Sequence, residues 1–171
     1  EYASAYPDKV RALVLDGAVD PTIDTIAQDK AQAAGFELAF SHFASACTAT
    51  GTRCKLGGDP QGFVLRLMAK AAANPIPSAN PKEKRRAGDG AVLLGVASAL
   101  YDHTLWPTLT TALVNADRGD ATGVLALDDR YNQRYPDGTY SNIEDANAAI
   151  GCADTAQRPT AAQARALEPQ W

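Results

Sequence analysis

The sequence predicts a mainly α-helical fold with a single buried β-strand near its start. Three observations carry that expectation. First, 34 of the 171 residues are alanine, which supplies much of the 46% apolar fraction, and alanine is the strongest helix former. Second, Val10 to Leu15 is an apolar run with one charge, closed by Asp16-Gly17; a short apolar run ended by a turn signal reads as a buried parallel-type strand. Third, helix-start signals recur beyond that run, at Asp59-Pro60, Ser141 to Glu144 and Thr160 to Gln163.

Composition excludes several classes. The net charge is -4 and the only basic run is Lys82 to Arg86, so no nucleic-acid footprint is present. The chain lacks a continuous apolar stretch of about 18 residues, which excludes a helical membrane span. It is too apolar and too weakly charged for a disordered chain. The length suits one ordinary domain. The first residue is Glu1, with no Met and no signal peptide before it, and the expectation is a piece of something longer.

In chain order, Glu1 to Tyr6 reads as a helix end closed by Pro7-Asp8, and the strand Val10 to Leu15 follows. Ala27 to Ala46 is helical, because Phe36, Phe40 and Phe43 fall at i, i+4 and i+7 on one face. Asp59 caps a helix that has Pro60 at its first position and runs to about Ala73. Asn74 to Asn80, with Pro75 and Pro77, is a loop, and Lys82 to Arg86 is a solvated surface. Gly88 to Tyr101 is a helix with Val92, Val96 and Leu100 in register; Leu105 to Ala116 is another, with Trp106 and Pro107 in its first turn. Asp120 caps a helix to about Tyr131. The two capping boxes open the last helices, over Ala146 to Ile150 and Ala161 to Leu167. A lone buried strand needs neighbours for its N–H and C=O groups, and none is visible in this sequence.

No complete catalytic constellation is present. None of Ser4, Ser41, Ser45, Ser78, Ser98 and Ser141 sits in a Gly-x-Ser-x-Gly elbow. Ser41 and His42 are neighbours on a helix and so do not face each other. His103 follows Tyr101-Asp102 at a helix boundary, where capping is its expected role. Phosphate-loop, calcium-loop and zinc-protease motifs are missing. Asp16 and Asp20 follow the strand's carboxyl end, where ligands bind in open α/β sheets; an Asx turn is the plainer reading. A carboxylate at a pocket mouth, such as Asp154, could hold a substrate amine; its plainer role is an exposed cap.

Cys47 and Cys54 bracket a polar loop containing Gly51. That loop length permits a disulfide, which would imply an oxidising compartment. Two thiols near a helix end are the alternative. Zinc is disfavoured, since the spacing is not Cys-x-x-Cys and neither His is near. Cys152 is the odd third cysteine, and in a secreted protein that points to a partner elsewhere.

These residues carry a family resemblance. Tyr2-Ala-Ser-Ala-Tyr-Pro-Asp-Lys-Val-Arg-Ala-Leu-Val-Leu-Asp-Gly-Ala-Val-Asp-Pro21 resembles the stretch after the nucleophile elbow of α/β-hydrolases. More specifically, it is similar to the actinobacterial tripeptidyl aminopeptidases of the proline-iminopeptidase-like peptidase family. Ala33-Ala-Gly-Phe-Glu37 with Phe43 and Cys47, Cys54-Lys-Leu-Gly57, Ala99-Leu-Tyr101 with Trp106-Pro107, Gly119-Asp120, and Ala149-Ile-Gly-Cys-Ala-Asp154 resemble that family's lid. The resemblance implies an α/β-hydrolase fragment: residues 1–22 as a piece of the catalytic core and 23–171 as a helical lid.

It further implies a secreted or envelope-associated serine hydrolase whose nucleophile precedes Tyr2 and whose Asp and His follow Trp171. No triad member maps onto this chain, so the chain alone is expected to be inactive. No cofactor and no metal are implied. The partners implied are a peptide or ester substrate and the remainder of the hydrolase core. The implied candidates for the substrate wall are Asp154, Glu144, Tyr101 and Trp106, with Tyr140 beside them; packing between lid helices is the plainer role of the three aromatics, and Cys152 would pair further downstream. The alternative from a different class is a stand-alone helical binding domain; a third is the lid of an esterase of the same fold.

Overall fold

Residues 2–18, 23–154 and 159–167 are described by a computed structural model of the chain. Helix α1, Tyr2–Ala5, is a single turn. Helix α2, Thr25–Thr48, opens at Asp24, whose carboxylate accepts from the Ala27 N–H at 2.7 Å. Its 24 residues make a rod about 36 Å long. Helix α3, Pro60–Ala73, begins as expected: Asp59 accepts from the Gly62 N–H at 2.8 Å, and Pro60 occupies the first turn. Two short strands follow, β1 at Ile76–Pro77 and β2 at Arg86–Ala87, antiparallel in the register Ile76–Ala87 and Pro77–Arg86. Next come α4 (Asp89–Leu100), α5 (Trp106–Asp117) and α6 (Thr122–Tyr131). Helices α7 (Ile143–Asp154) and α8 (Ala161–Leu167) complete the described chain.

The mainly helical expectation agrees with this architecture, and three local expectations need correction. The run Val10 to Leu15 is not a strand: it is irregular, and Leu13, Val14 and Leu15 are 62%, 91% and 69% exposed. An apolar run of that length forms a buried strand only where adjacent strands take its N–H and C=O groups, and no described segment lies in sheet register beside it. The loop 74–80 contains β1, because Pro77 at a strand edge gives up no ladder donor; its carbonyl instead accepts from the Ala121 N–H at 2.9 Å. The basic run 82–86 is not uniformly solvated, since Arg85 is drawn into an ion-pair cluster with Glu83 and Asp129.

Helix α4 is the hub. Its Val92, Val96 and Ala99 are buried against α6, α3 and α5. Leu109 and Leu113 of α5, Val124 and Leu127 of α6, and Leu67 and Ala71 of α3 close the core around it. Small residues set the close crossings. A Cβ on Gly123 would lie 2.9 Å from the Ala112 Cβ, and one on Gly95 would lie 3.2 Å from the Val124 carbonyl oxygen. By contrast α2 buries only Phe43, and α7 buries nothing.

The expected caps take varied forms. Asp120 accepts from the N–H groups of Ala79 and Thr122, at 2.9 and 3.0 Å, tying the β1 loop to the start of α6 from one residue outside its N-cap, Ala121. Thr160 and Gln163 form a reciprocal capping box, with bonds of 2.8 and 3.3 Å. At Ser141 the hydroxyl accepts from the Ile143 N–H at 3.3 Å. Asp16-Gly17 is a turn as expected, with Gly17 at φ 60°.

Candidate functional site

Tyr101, just after α4, meets α2 and α6 at an aromatic corner. Phe36 of α2 packs edge-on against Tyr101 at 5.5 Å, and Tyr101 leans on Tyr131, the last residue of α6, at 6.5 Å. Tyr101 is 69% exposed, so the corner opens to solvent. Burial pushes the Tyr131 phenol above its usual range, with smaller contributions from Tyr101 and from the negative charge of Glu144. Of the residues expected in the substrate wall, Tyr101 lies at this corner, and the charge of Glu144 is felt at Tyr131.

Asp102 follows Tyr101 and accepts from the Thr104 hydroxyl and N–H at 2.7 and 2.9 Å. These bonds lower its carboxyl below the usual range, the hydroxyl more than the N–H, with His103 and Arg130 adding to the effect. A carboxylate next in the chain to an exposed tyrosine suits a cationic group such as a peptide ammonium.

The other expected wall residues lie elsewhere. Trp106 packs edge-on against Phe43 at 5.9 Å and His103 at 6.2 Å, facing the end of α2 rather than the aromatic corner. Tyr140 is exposed and stacks under the Arg134 guanidinium at 5.9 Å. Asp154 is exposed at the last position of α7, about 15 Å along the helix axis from Glu144. Of the two core carboxylates considered, Asp16 is exposed and Asp20 lies outside the described residues. Sequence reasoning missed Tyr131 and Asp102. The Asp102-x-Thr104 pair was a readable signal, because an Asp followed two residues later by Thr favours an Asx turn.

The two nearest cysteines are joined: Cys47 and Cys54 form a disulfide that ties the end of α2 to the turn Gly51–Arg53. Cys152 is exposed on α7. Three of the serine hydroxyls are engaged in hydrogen bonds, Ser41 with the Leu38 carbonyl, Ser78 with Thr122 and Ser141 with Gln133. No group of three or more His, Cys, Asp or Glu side chains is placed to hold a metal ion among the described residues, and no described helix is long and apolar enough to cross a membrane.

Known proteins match over most of the chain. It is 38% identical over 162 residues to the serine protease Hip1 of Mycobacterium tuberculosis, covering 90% of this chain and 31% of that protein. It is also 38% identical over 149 residues to carboxylesterase B of the same organism, covering 85% of this chain and 28% of that protein. The chain thus spans under a third of these relatives, and it is homologous to a segment of each. No protein-family profile matches it.

Proposed function

We propose that the chain is the lid-bearing part of an α/β-hydrolase-fold serine hydrolase, with residues 1–22 belonging to the catalytic core and 23–171 forming the lid. The observation that carries this reading is 38% identity to both a serine protease and a carboxylesterase. The exposed run Leu13, Val14 and Leu15 supports it, being apolar in the way a strand is when a sheet receives it. The disulfide fits an oxidising compartment, secreted or at the cell envelope.

In this reading the parent hydrolyses by acyl-enzyme chemistry. A serine attacks the scissile carbonyl carbon as a histidine takes its proton, the histidine passes that proton to the departing amine or alcohol, and water then hydrolyses the acyl-enzyme; an aspartate orients the histidine, and backbone N–H groups stabilise the oxyanion. Those groups come from segments outside this chain. The lid excludes water and limits what reaches the nucleophile.

The finer reading is an aminopeptidase of the tripeptidyl type, with Glu144 as the anchor for the substrate ammonium and Tyr101 as a wall beside it. Trp106 and Asp154 border other parts of the lid. The full-length enzyme tests this. Glu144→Gln should raise KM for a tripeptide anilide about tenfold, the loss of one charge-assisted contact, while leaving hydrolysis of a neutral p-nitrophenyl ester unchanged. An equal effect on both substrates would remove Glu144 from amine recognition. The esterase reading rests on the equal identity to carboxylesterase B, and full activity on esters with none on peptides would establish it. A stand-alone binding domain is distinguished by restoring the flanking sequence: fluorophosphonate labelling of the full-length protein, with none of this chain, supports the hydrolase.

A further inference from the structure

A groove of about 430 Å³ lies between the end of α2 and the first turns of α5, beside the Cys47–Cys54 disulfide. That size falls within the roughly 300–1,000 Å³ of small-molecule sites. Its floor is aromatic, Phe43 against Trp106. Its rim carries Arg53, Lys55 and His103, with no acidic residue in the lining among the described residues. Both Arg53 and Lys55 are exposed, and the described ion pairs involve neither. In a chain of net charge -4, this is a local cationic rim over an apolar floor.

We propose that this groove binds an apolar monocarboxylate, with the carboxylate held by Arg53 and Lys55 on the rim and the tail laid on Phe43 and Trp106. The inference depends only on the groove and stands apart from the hydrolase reading. A test uses the whole chain carrying Trp171→Phe, so that Trp106 is the sole tryptophan emitter. The probes are 4-phenylbutyrate and its uncharged amide, read by fluorescence and calorimetry.

The acid should shift Trp106 emission and bind about tenfold more tightly than the amide. The double variant Arg53→Glu, Lys55→Glu should abolish that preference while leaving weak amide binding in place. Ala46→Phe, which fills the groove from α2, should remove binding of both probes with the circular dichroism of the fold unchanged. Equal binding of acid and amide, no binding at millimolar concentration, or unaltered binding in the charge-reversed variant would each overturn the proposal.

Discussion

Arg85 is the residue on which the most polar interactions converge. Its guanidinium reaches Asp129 at 2.6 and 2.8 Å and Glu83 at 2.6 and 3.1 Å. The fork geometry of arginine matches two carboxylates at once, so the β1–β2 connection is fastened to the last turns of α6. Hydrogen bonds from the Arg85 side chain, and then its N–H, hold the Glu83 carboxyl down at about 2. A carboxyl lowered in the folded state stabilises when ionised; its contribution is complete above the ordinary value of 4.5 and is lost as pH falls toward about 2. Thermal melts from neutral pH to pH 2 should therefore show a loss over that window. Arg85→Ala should flatten this part of the profile and cost about 1.5–3 kcal/mol at neutral pH, in the range of charged hydrogen bonds. A profile unchanged by Arg85→Ala would remove Glu83 as its source. Sequence could not reveal this cluster, because Asp129 lies 44 residues from Arg85 and a five-residue basic run usually does face water.

At the scale of elements, the close crossings depend on what has no side chain. Gly123→Ala places a methyl 2.9 Å from the Ala112 Cβ. Overpacking of that kind costs about 1–3 kcal/mol, against a helix-propensity gain of up to about 1 kcal/mol, so urea denaturation should show net destabilisation. Gly35→Ala on α2, where a Cβ meets nothing within 4 Å, should instead stabilise slightly; equal effects at the two sites would mean that propensity rather than crowding decides. The Cys47–Cys54 bond closes a loop with a sequence separation of 7, for which chain-entropy reasoning gives about 2–3 kcal/mol. Replacing both cysteines with alanine should lower the melting temperature accordingly. Helices were the legible part of this sequence, since their apolar spacing and most of their caps are local, although the sequence reading missed Asp24 at the start of α2. The strand expectation at Val10 to Leu15 differed because an apolar run records a need for neighbours, not their presence.

For the whole molecule, burial among the described residues is concentrated on α3 to α6, with Phe43 of α2 added to it, while residues 2–18 and α7 bury nothing. Replacing Leu13, Val14 and Leu15 with serine should leave the unfolding transition of the helical body unchanged, because those side chains touch no core, and should reduce aggregation, because a solvent-exposed apolar run is a pairing hazard. A marked drop in stability would show that this segment does contribute to the chain's own fold. Of the residues singled out from sequence, Tyr101 lies at the aromatic corner, whereas Trp106 faces the end of α2 and Asp154 ends α7, since position along a helix does not report which neighbouring helix a residue will meet. The hub position of α4, covered by α2, α3, α5 and α6, has a kinetic consequence. Its amides are released to solvent only when the neighbouring helices separate, so in deuterium exchange they should be the last to acquire label, at a rate set by global unfolding. The amides of α7, whose helix buries no residue, should exchange by local fraying long before, leaving a gradient of protection that runs outward from Val92 and Val96.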